Sequence, residues 1–270
     1  MKNILNRLFG LVLVFGALNV SGAEETPPKI TPLQLSVWNP VQLAPDDWDV
    51  WGLRLNMLYG MNRDLYGLDV GVFNLVRRDF AGIQVGVANL TSTESAGAFT
   101  GIQVGVANIV TPITGLSGAS GLQIGLVNGG GKMSGFQVGG FNMADEMRGL
   151  QLGGNLNFAE SLAGIQIGFL INSSRETVTG VQVGFWNMHG FGKNLPGGDY
   201  CGLQVGLFNS VYSSPMRGVQ LGLSNYAADM HGLQFALVNI ADKMTGVQIG
   251  LVNIIKESPV VFFPVINVHF

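Results

Sequence analysis

Charge is scarce in this chain: Asp, Glu, Lys and Arg make up 11% of its 270 residues, against 47% hydrophobic ones. That balance excludes a disordered chain, which needs the opposite. The formal net charge of −3 leaves no basic surface for nucleic acid. Histidine is confined to His189, His231 and His269, far apart and without a second His, Cys or carboxylate at ligand spacing. A metal centre is therefore not expected. The single cysteine, Cys201, excludes an intramolecular disulfide, so packing must hold the fold together. Cys201 itself reads as a small buried apolar residue. No segment carries an apolar stripe of period 3.6 over a helical length, and this points to an all-β protein.

Long hydrophobic runs are also missing. The longest, Leu8 to Val20, is shorter than the roughly 20 residues a membrane-spanning helix needs. With Lys2 and Arg7 before it and Ser21-Gly22-Ala23 after it, the run reads as a secretory signal peptide over residues 1–23. Its removal would take the basic count from 14 to 12 against 17 acidic residues, a net charge of −5.

What the chain has in excess is glycine, 40 residues, and the glycines fall in a repeat. The sentence Gly-φ-Gln-φ-Gly-φ-x-Asn, with φ apolar, is clearest at Gly246 and recurs from Gly67, Gly82, Gly101, Gly121, Gly135, Gly180, Gly202, Gly218 and Gly232. Degenerate copies start at Pro32, Gly52, Gly149, Gly164 and Val260. The commonest spacing is 14 residues, as from Gly232 to Gly246, and longer spacings carry insertions between one Asn and the next Gly. Alternation of period two makes each copy a strand. In the Gly246 copy Val247, Ile249 and Leu251 share one face, and Gln248 and Gly250 the other. A second signal is an apolar residue two places before each Gly, such as Phe80, Met133, Tyr200 and Met244.

Two architectures fit. In a β-solenoid or β-roll of tandem 14–16-residue repeats, identical positions stack about 4.8 Å apart. Leu, Ile and Leu would then fill the interior, while Gln and Asn form ladders along the outside. In the alternative, successive copies pair antiparallel as a meander or a closed outer-membrane-type barrel, with Phe262 to Phe270 as a closing strand. Such barrels alternate short turns with long loops. Here the long connections fall on both sides, which favours the solenoid.

The copy Gly121-Leu122-Gln123-Ile124-Gly125-Leu126-Val127-Asn128, together with Leu33-Gln34-Leu35-Ser36-Val37-Trp38-Asn39-Pro40 and Val50-Trp51-Gly52-Leu53-Arg54-Leu55-Asn56, resembles the exported surface-repeat proteins of bacteria. The resemblance implies a location at the cell surface, outer membrane or periplasm of a Gram-negative-type bacterium. It brings no catalytic residues with it. The organisation expected is a signal peptide over 1–23 and a leader with a first degenerate repeat and an acidic, Trp-containing loop over 24–51. A repeat array over 52–259 and a C-terminal capping repeat over 260–270 complete it.

The search for chemistry finds little. Asp46, Asp47, Trp48, Asp49 and Trp51 form a candidate ligand loop for a cation or a sugar, although no calcium-loop spacing is present. A bland reading has this loop solvated, with its indoles covering the end of a core. Gly129-Gly130-Gly131-Lys132-Met133-Ser134 lacks the phosphate-loop spacing. A Cys201–His189 nucleophilic pair lacks a third orienting group. Asn172-Ser173-Ser174 is a glycosylation sequon. The sequence therefore points to a non-enzymatic exported scaffold with no cofactor. An unidentified surface or envelope partner, or association with the outer membrane, completes the reading, and a passive barrel pore is the alternative.

Overall fold

The computed structural model describes residues 29–93, 97–112, 118–191 and 198–270, so the expected signal peptide and residues 24–28 of the leader lie outside the described residues. The chain winds into a β-solenoid of about 13 turns. Successive copies from Pro32 to Gly246 pair in parallel with their neighbours, nearly residue for residue. Gly180, Gln182 and Asn187 lie beside Gly164, Gln166 and Asn172 on one side and Gly202, Gln204 and Asn209 on the other. Parallel pairing of successive copies rules out the meander and the barrel, which require antiparallel neighbours. The strand ladder often continues around the corners, so that Gly118–Ser174 is one unbroken 57-residue strand.

Which face points inward is the reverse of the sequence expectation. Gln123 and Asn128 are fully buried, while Ile124, expected in the interior, is 40% exposed and Leu126 more so. The interior consists of four stacked rows. Two are the amides. A third is the apolar residue two places before each Gly, among them Leu65, Phe80, Met133, Met216 and Met244. The fourth, which sequence reasoning did not single out, is the residue two places after each Asn, such as Val76, Val110, Ala144, Val211 and Ile255.

Buried amides are tolerable here because stacking satisfies them. Gln137 Nε2 donates to Gln123 Oε1 at 2.8 Å in the preceding turn and to Met143 O at 3.3 Å within its own. Asn128 Nδ2 donates to Asn142 Oδ1 at 2.8 Å in the following turn and to Val138 O at 2.9 Å. Both hydrogens of these two amides are used, which offsets the cost of removing them from water. The Gln ladder thus donates toward the N-terminus and the Asn ladder toward the C-terminus. Their dipoles oppose one another along the whole array.

The two glycines answer two separate needs of this stack. The first, Gly82 for example, has φ +152°, and a Cβ there would overlap the backbone of Gly67 one turn earlier. The second, Gly86, would place a Cβ 2.5 Å from the Gly71 carbonyl oxygen and 2.6 Å from Asn74 Nδ2. Glycine at the second place leaves room both for the preceding turn's backbone and for the buried asparagines. In the Gly52 copy the two residues trade places: Asn56 stands where the second glycine normally falls and enters the ladder by donating to Asn74 Oδ1 at 2.8 Å. Gly60, opposite Asn74 in the strand register, leaves the space that Asn56 occupies.

Both ends are closed. At the start, Val41–Gln42 pairs antiparallel with Ile30–Trp38. Gln34 locks onto Ala44 there, its Nε2 donating to Ala44 O at 2.7 Å and its Oε1 accepting from Ala44 N at 2.9 Å. At the other end, Phe262–His269 does not stack as a further parallel copy. It returns antiparallel against the last turn, with Gln248 opposite Asn267 and Gly246 opposite His269.

Candidate functional site

The acidic loop belongs to the N-terminal closure. Arg63 forks onto Asp49, with Nε 2.8 Å from Oδ1 and Nη2 2.9 Å from Oδ2, and this pairing raises the Arg63 pKa. The backbone carbonyl of Asp46 accepts from Arg77 Nη2 at 2.9 Å, and the carbonyls of Pro45 and Trp48 face Asn62 Nδ2. Asp47 points to solvent. Trp48 is half-buried, with the Lys29 ammonium 6.0 Å from its ring, while Trp51 is exposed and meets Tyr66 edge-on at 5.5 Å. The three carboxylates do not converge, and among the described residues no group of three His, Cys, Asp or Glu is placed to hold a metal.

A second charged cluster lies inside the solenoid. Arg54 and Asp69 occupy the glutamine positions of their copies and are paired with no exposure, Nη2 to Oδ2 at 2.6 Å. Arg54 Nη1 also donates to Leu75 O, and Asp69 accepts from Asn56 and Gln84. In the connectors, the buried Asp64 carboxylate pairs with the half-exposed Arg78; burial raises the Asp64 pKa against the pull of that guanidinium.

Ser174 and His189 form a pair that sequence reasoning missed, because they sit two places after their asparagines in adjacent turns. Ser174 Oγ lies 2.9 Å from His189 Nδ1, and His189 Nε2 lies 2.9 Å from Gly198 O. The imidazole is buried, its ring 5.4 Å from that of Tyr200, and burial lowers its pKa. A neutral ring donating to Gly198 O from Nε2 accepts from Ser174 at Nδ1, so the hydroxyl is a donor here rather than an activated nucleophile. Cys201, expected to be buried, is exposed instead, because it precedes Gly202 in a row that faces solvent. Asn172 of the sequon is locked in the ladder, donating to Asn187 Oδ1 at 2.8 Å, and is not presented for glycosylation. Gly129 to Ser134 run within a strand, not a phosphate loop.

The remaining feature is the exterior itself. The rows that flank Gln, represented by Leu122 and Ile124, are apolar in every copy from Pro32 to Gly246. The chain then bends at the second glycine, as at Gly86–Val87 and Gly105–Val106, and carries a third row, represented by Leu126, around the corner. Apart from Lys29, which precedes the first copy, and the interior pair Arg54–Asp69, every described Asp, Glu, Lys and Arg lies in a connector between one Asn and the next motif. The solenoid therefore has an apolar corner and a polar edge. In comparisons with known proteins, no family model, curated protein or solved structure matches the chain.

Proposed function

We propose that the chain is a non-enzymatic, exported protein of the bacterial envelope, a stiff scaffold that carries its long insertions along one edge. The observation that carries this reading is the use made of the repeat's polar groups. Its Gln and Asn side chains are spent on ladders that run through the array, such as Gln123 between Gln103 and Gln137. The long connections follow Thr93, Pro112 and Phe191, each between one Asn and the next Gly, the stretches that also hold nearly all of the described charges. The resemblance to exported surface-repeat proteins and the signal-like residues 1–23 support the address.

Fractionation of the cell envelope, with protease treatment of intact cells, tests the proposal. Recovery in the envelope fraction is the expected result, and recovery in the cytoplasm overturns it. Replacing residues 113–117 and 192–197 with Gly-Ser stretches of equal length should leave the melting profile unchanged while abolishing partner adhesion. Adhesion that survives both replacements removes the display role.

A further inference from the structure

We infer that the apolar corner is seated in the hydrocarbon of a lipid leaflet, so that the solenoid lies along a membrane with its polar edge facing water. This names a partner for the scaffold proposed above and rests on that reading. The side chains at the corner are large and open: Phe169 is 78% exposed, Met57 70% and Leu251 66%. With about 13 turns stacked about 4.8 Å apart, the apolar rows run for about 60 Å. From Leu122 to Leu126 they span about 13 Å across the strand direction of one turn. The resulting strip of about 800 Å² exceeds the roughly 300–600 Å² of the largest apolar patch on an ordinary monomer.

Its chemistry separates lipid from a protein partner. An interface between proteins carries about one hydrogen bond per 100–200 Å² and charged groups at its rim. The rows of Leu122 and Ile124 offer no polar side chain in any copy. The surface also turns a corner, so a rigid partner fitted to one side leaves the other uncovered, whereas acyl chains adapt to both. Two shallow grooves open on this corner, of about 650 Å³ and about 500 Å³. The first is walled by Leu35, Val37, Leu55 and Met57, and the second by Leu152, Ile167, Phe169 and Phe185. Both are troughs with apolar walls, suited to methylene chains. Because the charges stay on the opposite edge, recognition is of hydrocarbon and not of an anionic headgroup.

The test is flotation of the purified protein with neutral phosphatidylcholine vesicles. The wild-type chain should float, and L126K/F169K/F185K should partition at least about a hundredfold less. Residues 1–28 are the same in both, so any lipid affinity of the N-terminal run cancels. A control on the polar edge, S134K/T179K/T245K, should float like the parent, and circular dichroism should show the same β content in all three. Brominated lipid should quench Trp186, beside the corner, when it is the only tryptophan, and should spare Trp51 kept alone. Failure of the wild type to float, or equal flotation of L126K/F169K/F185K, overturns the inference. So does a discrete oligomer that fails to float and is dissociated by those lysines, since a second copy then covers the corner. Export is read by fractionation alone, so failure there leaves the vesicle result standing, and the reverse also holds.

Discussion

Asp69 accepts the last amide of the glutamine ladder, from Gln84 Nε2 at 2.9 Å, and Arg54 neutralises it one turn earlier. A ladder whose donors all point toward the N-terminus ends there in a buried carboxylate, and that carboxylate requires a cation. The pair thus terminates the amide row rather than adding a simple attraction. Replacing one member leaves an uncompensated buried charge, which typically costs about 3–5 kcal/mol. D69N should therefore unfold the first turns at markedly lower denaturant, read by hydrogen exchange over residues 50–76. R54Q/D69Q, which continues the ladder with neutral amides, should recover most of that loss. If the double variant is no more stable than D69N, the pair has another role.

The inverted interior makes a direct comparison possible at two adjacent residues. Q123L leaves Gln103 Oε1 without its donor and deprives Gln137 Nε2 of its acceptor. Each buried orphan costs about 1–3 kcal/mol. I124D sits in an outward row and forfeits only stacking on its apolar neighbours, about 0.2–1 kcal/mol. In urea melts Q123L should fall well below I124D. The opposite order would restore the aliphatic interior.

The period of the repeat, the strand assignment and the ladders of Gln and Asn were all legible in the sequence. Stacking followed from loop lengths. The side that faces inward was not legible, because alternation of period two defines two faces and names neither as the interior. Hydrophobic burial was the natural assumption, and it fails because a stacked amide, unlike an isolated one, finds an identical partner above and below. Two clues were on view. Met244 and its counterparts two places before each Gly share a face with Gln248, and the second glycine has no purpose unless something bulky lies behind it. The exchange of Asn56 and Gly60 in the Gly52 copy was not recoverable from spacing, since only the register with Asn74 reveals it. Of the candidate loop, Asp49 is drawn off to Arg63 by a pairing 14 residues away that no motif announces.

The two glycine rows should differ in tolerance. At the second glycine nature supplies its own variant: Ala236 occupies that place in the Gly232 copy and is accommodated with Asn239 still in the ladder. At the first, every copy from Gly52 to Gly246 has glycine at positive φ. G139A meets the Gly125 carbonyl oxygen at 2.1 Å and Asn128 Nδ2 at 2.6 Å but at a φ outside the left-handed region, so a shift of the kind that accommodates Ala236 should hold its cost to about 1–3 kcal/mol. G135A adds a left-handed φ of 133° to an overlap with the backbone of Gly121, and should prevent those turns from forming. Thermal melts of the two variants check the order. Equal losses would mean that overlap with the preceding turn's carbonyl, and not the left-handed φ, sets the limit at both places.

His189 makes stability depend on pH. Its pKa is lowered by burial, so between the folded and unfolded values the unfolded chain binds a proton that the folded chain does not. Stability from the neutral ring is fully present above the unfolded value of about 6.5 and is lost as the pH falls through it toward the folded value. Tyr200, the ring packed against it, has its pKa raised and stays neutral throughout this window. H189Q keeps an amide within reach of Ser174 Oγ and Gly198 O but carries no titrating group. The melting temperature of the parent should drop between pH 7.5 and 5.5, and that of H189Q should drop less. Parallel curves for the two proteins would show that the imidazole is not the titrating group.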